Sequence, residues 1–169
     1  MAAPSGHGAA KHDPLFGIPE WLRLVPVDFE AGSSWWERLA TAGFDTGLRA
    51  VVASAGVAMY LTKDAIAAIL RHIVALAPGS TLIMSFMLPL ELIEPGERPL
   101  REATERFARA AGTPFLSFFA PAELLALARK AGFCQAQHVS AASLTERYFA
   151  NRTDGLRPSS SEELLVATT

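Results

Sequence analysis

The side chains whose type and spacing could do chemistry are few. Ser54 and Gly56 follow an apolar run, Ala50–Ser54. A glycine there lets the backbone approach a ligand closely, and the serine offers a hydroxyl. Tyr60, Phe118, Phe119 and Tyr148 are aromatics of the kind that line ligand pockets, which are mostly apolar with a few polar anchors; each could equally be core. Arg147 and Arg157 could hold an acidic ligand by paired hydrogen bonds, or could simply be solvated. His72 and His138 have no cysteine or carboxylate at metal-ligand spacing, so no metal site is expected. Cys134, the one cysteine, cannot form an internal disulfide. It reads as a small buried hydrophobe, and its solitude fits a reducing, cytoplasmic compartment.

These residues need elements to hold them. Leu24–Phe29 is a short apolar run ending near an acid and predicts a buried strand. Ser34 and Glu37 have the spacing of a capping box, opening a helix that stops at Gly43. Ala50–Ser54 predicts the next strand. Thr62 should cap a helix whose Ile66, Ile69, Leu70, Ile73 and Val74 share one face, ended by Pro78-Gly79. Thr81–Met87 lacks polar alternation and predicts a strand buried on both faces. After a Pro- and Glu-rich connection come a helix over Leu100–Ala111 and another from Pro121 to Ala131, stopped by Gly132. Phe133–Val139 predicts a strand. Ser143 and Glu146 offer a second capping box, and Glu163–Ala167 predicts a last strand. Strands alternating with amphipathic helices imply an α/β fold with a doubly wound sheet. The last connection is too short for a packed crossover, so the final strand should run antiparallel.

Composition narrows the function classes. Half of the 169 residues are hydrophobic and 19% are charged, as in a globular chain. Lysine and arginine number 15 against 17 acids, with no basic stripe, which argues against nucleic acid as a partner. No apolar run is long enough to span a membrane. Residues 1–21 carry no secretory pattern and read as a flexible tail. Gly6-His7-Gly8 follows no strand and carries no weight as a cofactor loop.

Several segments together resemble the leucine carboxyl methyltransferase-like family, above all its bacterial S-adenosylmethionine-dependent branch. They are Val25-Pro26-Val27-Asp28-Phe29, Trp36-Glu37-Arg38-Leu39 and Ala42-Gly43-Phe44-Asp45, followed by Gly56-Val57 and Met59-Tyr60-Leu61-Thr62. Further along are Ser117-Phe118-Phe119, Pro121-Ala122-Glu123-Leu124, Ala131-Gly132-Phe133, Arg147-Tyr148-Phe149 and Asp154-Gly155-Leu156-Arg157-Pro158. They span residues 22–169. The resemblance implies a class I methyltransferase (Rossmann-like) fold with S-adenosyl-L-methionine as cofactor and a small-molecule acceptor, by O-methyl or carboxyl methyl transfer. The family sheet runs 3-2-1-4-5-7-6 with strand seven antiparallel. The five strands here would be its strands three to seven with flanking helices, residues 22–169 forming the carboxy-terminal portion of that domain.

The resemblance also assigns roles. Asp28 would accept from the adenine amine and the Phe29 amide would donate to its ring; on its own terms Asp28 is only an acid at a strand end. Ser54 and Gly56 would lie along the cofactor, with Tyr60, Phe119, Tyr148 and Arg157 towards the acceptor. Ala55 stands where the family has a cofactor-contacting glutamate. The family's strands one and two, its glycine-rich loop and its ribose-binding acid have no counterpart here. The chain is therefore expected to be a weakly active or inactive methyltransferase; the alternative is a non-catalytic remnant or interaction module. An exposed sheet edge left by the missing strands should promote self-association.

Overall fold

In a computed structural model, the structure describes residues 19, 21–29 and 35–169. Its elements are α1 (Trp35–Thr41), β1 (Val51–Ser54), α2 (Lys63–Val74), β2 (Thr81–Met87), α3 (Arg98–Ala110), α4 (Pro121–Ala131), β3 (Gln135–Val139), α5 (Ala141–Leu144) and β4 (Glu162–Thr168). Among the described residues one four-stranded sheet forms, in the order β1-β2-β4-β3. β1 pairs parallel to β2, while β4 runs antiparallel to both β2 and β3. The antiparallel last strand is as expected.

The local rules account for the helices. Thr62 accepts from the Ala65 amide at 3.2 Å and caps α2. Ile66, Leu70 and Ile73 of α2 are buried, as the helical period requires. α4 opens at Pro121 and closes on Gly132, which adopts a left-handed φ of 112°. These two helices cover one side of the sheet. Leu82, Met84, Phe86, Leu165 and Ala167 point into that core with Leu61, Leu124, Ala128 and Phe133. Burying a side chain of that size contributes roughly 1.5–3 kcal/mol each.

Several expectations need correction. Leu24–Phe29 is not a strand but an extended, largely exposed segment outside the sheet, so four strands form and not five. A strand exists only with a neighbour to bond. Here the segment lies instead against α1, where Arg38 Nη1 donates to the Pro26 carbonyl at 3.4 Å. The sheet is not covered on both sides, because every second residue of β2 below Ser85 faces outward and Ile83 is 36% exposed. Ser140, not Ser143, caps α5; its hydroxyl accepts from the Ser143 amide at 3.1 Å. Cys134 is exposed rather than buried. Ser34 of the first capping box, most of the 1–21 tail and Gly6-His7-Gly8 lie outside the described residues.

Candidate functional site

Ligands of open α/β sheets bind beyond the carboxyl ends of the parallel strands. At that end β1 breaks into Gly56, whose φ of +67° is the left-handed region that favours glycine. The Gly56 amide donates to Ser85 Oγ of β2 at 2.8 Å. A 3₁₀ turn, Ala58–Tyr60, follows. The Leu116 amide donates to the Met59 carbonyl at 2.7 Å, and Ser117 Oγ donates to the Leu61 carbonyl at 2.5 Å. The Phe119 amide donates to the Met87 carbonyl at 3.0 Å. The segments after β1 and β2 and the 115–119 strip are thereby tied together.

Tyr60 stands on this rim, 44% exposed, with its ring edge-on to Phe115 at 5.5 Å. Behind the strip Arg101 is 4% exposed, its guanidinium 4.9 Å from the Phe118 ring and 5.6 Å from that of Phe115. Nη1 donates to Met87 Sδ at 3.3 Å. Glu105 Oε1 lies 2.9 Å from Nε, close enough for ionic attraction but off the line of the N–H, so Nε has no hydrogen bond. Burial lowers the Arg101 pKa, against the opposing pull of Glu105 and Glu162.

The remaining expected residues are dispersed. Phe29 packs edge-on to Trp35 at 6.0 Å, and Trp35 and Trp36 in turn flank His72 of α2. Asp28 is exposed on the same segment. The Asp28–Phe29 pair is thus held by α1 and the Gly56 turn by β2. Ser54, paired with Met84, faces the covered side of the sheet. Phe119 is core, 2% exposed, with Lys63 Nζ 4.6 Å above its ring. It floors a groove of about 460 Å³ between α2 and α4, whose Lys63 and Glu123 pair at 2.5 Å. Tyr148 is exposed beneath Arg147, on a single π-helical turn, Thr145–Phe149. Arg157 is committed to Glu94 at 2.9 Å and Glu97 at 3.0 Å. Glu97 also accepts from Ser159 and from the Ser160 amide. Burial pushes the Glu97 pKa up, but those hydrogen bonds and Arg157 outweigh it and hold the carboxyl below its ordinary value. Arg157 therefore fastens the 157–161 loop to the start of α3.

Sequence reasoning did not single out Ser85, Arg101 or Glu163. Glu163 is buried, accepting from the Ala141 amide at 3.1 Å and bonded to His138 Nε2 at 2.5 Å. The signal available was a polar residue at a position the strand or helix period assigns to the interior.

The sequence profile of the leucine carboxyl methyltransferase family matches residues 10–74. YktD of Bacillus subtilis (strain 168), whose name proposes it as an S-adenosyl-L-methionine-dependent methyltransferase, is 26% identical over 140 residues. The chain is similar to the leucine carboxyl methyltransferases. That alignment takes in 82% of this chain and 45% of YktD, so the chain spans about half the length of the curated relative it matches. Among solved structures, a possible exported protein from Bordetella parapertussis superposes with a TM-score of 0.50 at 19% identity, over 77% of this chain and 46% of that one, a likeness of fold alone. A DUF574 family protein from Streptomyces avermitilis covers 75% of this chain and 46% of its own at 18% identity, with a TM-score of 0.49. The sheet order β1-β2-β4-β3 with β4 antiparallel reproduces the 4-5-7-6 half of the sheet that the family resemblance implies.

S-adenosylmethionine is the cofactor of this class. The described residues do not make a complete cradle for it. The Gly56 amide is already given to Ser85, Ser54 faces the core side, and Asp28 sits on a separate segment held by α1.

Proposed function

We propose that this chain is the carboxy-terminal part of an S-adenosylmethionine-dependent methyltransferase domain. Its reaction class is O-methyl or carboxyl methyl transfer to a small acceptor, and these 169 residues alone bind the cofactor weakly and turn over little. The observation that carries the reading is the 4-5-7-6 sheet order, with a tight glycine turn at the carboxyl end of the first of its strands. Bound cofactor would supply an electrophilic methyl group. Such transfer depends on alignment of donor and acceptor more than on a dedicated base, so the lack of a recognisable triad is no objection.

In this reading Asp28 and Phe29 meet the adenine, and Ser54 and Gly56 border the cofactor. Tyr60 is the best placed of the acceptor-side candidates, being exposed at the strand ends. Phe119 supports that wall from the core, while Tyr148 and Arg157 stand at its outer margin. Residues 22–169 act as one unit, with 1–21 as a tail. The lone thiol of Cys134 suits a cytoplasmic setting, and the balanced charge suits a small-molecule partner over nucleic acid. Among the described residues no helix is long and apolar enough to cross a membrane. Self-association belongs to the same proposal, since β1 has an open edge; four residues of strand, however, give little contact.

The second reading, a non-catalytic interaction module, is favoured by one observation: the uncovered side of the sheet. Incubation with methyl-labelled S-adenosylmethionine and a panel of small carboxylic acids and phenols, beside YktD as reference, separates the two. Labelled product at a rate comparable to YktD would refute the weak-activity reading. No transfer, with association intact, would favour the module.

A further inference from the structure

One side of the sheet is bare over its lower half. Directly paired residues share a side, so Val51 and Ala53 of β1, Thr81 and Ile83 of β2, Val166 and Thr168 of β4, and Gln135 and Gln137 of β3 all point away from α2 and α4. Val51 is 74% exposed. Higher up the same side is closed: Ser85 lies beneath Gly56, and Met87 beneath Arg101. A sheet side that faces water ordinarily alternates apolar residues with charged or polar ones. Here the strands put not one charged residue on the bare half, and its centre is Val51, Ala53, Ile83 and Val166. Arg129 reaches only the margin, beside Gln135 and Gln137.

We propose that a second copy of this chain packs on this side, sheet against sheet, about a twofold axis. An apolar centre with a polar rim is the anatomy of a protein interface. The rim suits an identical partner in particular. Each glutamine amide both donates and accepts, so Gln135 and Gln137 can pair with their own counterparts, and with no charge on the strands nothing repels a like surface. Two twisted sheets stack about 10 Å apart with strands about 30° off parallel, an arrangement open to two identical faces.

The area sets the strength. Four strands about 4.8 Å apart and about four residues long at about 3.3 Å each make a patch of ~250 Å², on the order of 500 Å² accessible per copy. A standard interface buries about 800 Å² per partner, so the dimer is weak. Edge-to-edge pairing through the four residues of β1 buries less and leaves the apolar centre wet.

Sedimentation velocity on the full chain, from about 1 µM to about 1 mM, tests this. The expected result is a reversible monomer–dimer equilibrium with a dissociation constant of roughly tens to hundreds of micromolar. Ile83→Glu, and separately Gln137→Glu on the exposed strand, should each weaken it at least about tenfold. Gln137→Glu decides the matter should Ile83→Glu lose its native circular dichroism. Arg71→Glu, on the helix-covered side, should leave it unchanged. A monomer at every concentration overturns the proposal. So does association indifferent to both face variants, which would put the contact elsewhere, as at the β1 edge. None of these outcomes depends on cofactor binding.

Discussion

Gly56→Ala is the sharpest probe of the turn that ends β1. A Cβ built there meets no heavy atom within 4 Å, so the substitution creates no clash. What remains is the backbone: φ is +67°, where an L-residue costs roughly 1–2 kcal/mol more than glycine. Restricting the unfolded chain returns about 0.4–1 kcal/mol. The net expectation is a loss of about 0.5–1.5 kcal/mol, or roughly 1–6 °C in Tm for a chain of this size. Gly96→Ala is the matched control. Its Cβ also meets nothing within 4 Å, but its backbone is outside the left-handed region, so it should be neutral or stabilised by up to about 1 kcal/mol. Thermal melts of both variants followed by circular dichroism give the answer. Equal shifts for the two, or a stabilised Gly56→Ala, would refute the left-handed turn and with it the Ser85 clasp on the Gly56 amide.

Other outcomes follow from the core and the ion pairs. Ile66→Ala, at a fully buried position of α2, should cost about 2–5 kcal/mol in urea unfolding. Arg101→Met should change stability by less than about 1.5 kcal/mol, because a buried ion can be replaced by an apolar side chain of similar size; Glu105→Ala, which leaves that cation with one neighbour fewer, should destabilise more. The Glu97 pKa is lower folded than unfolded, so its contribution is present above about pH 4.5 and is lost as pH falls through the folded value. Wild type should therefore lose Tm more steeply than Glu97→Gln when melts are run from neutral pH down into that acidic window.

Where residues obey a short-range rule, the sequence was legible. The Thr62 cap, the buried stripe of α2, the Pro121 start and Gly132 stop of α4, and the antiparallel β4 all follow from neighbours a few positions away. Leu24–Phe29 did not, because its apolar pattern is that of a strand and a strand depends on a partner that may be far along the chain; here α1 holds it instead. The bare side of the sheet was illegible for a related reason. Val51, Ile83 and Val166 are apolar whether or not anything covers them. At the site, the residue types at Gly56 and Tyr60 pointed to the right end of the sheet. Arg157 could not be separated from a ligand anchor until its two carboxylate partners, Glu94 and Glu97, were placed. Ser85 and Arg101 lay inside runs whose general character, apolar strand and charged helix, masked them.

Calorimetric titration of the purified chain with S-adenosylmethionine tests the central claim most directly. Losing a pair of hydrogen bonds from a ribose-binding acid, each worth roughly 1.5–3 kcal/mol, costs on the order of 3–6 kcal/mol. That weakens binding by about a hundredfold to ten-thousandfold against YktD titrated in parallel. The Gly56 amide, already given to Ser85, offers no compensation. The account predicts no saturable heat at micromolar ligand. A low-micromolar dissociation constant, abolished by Asp28→Ala, would contradict it and make this chain a cofactor-binding enzyme in its own right.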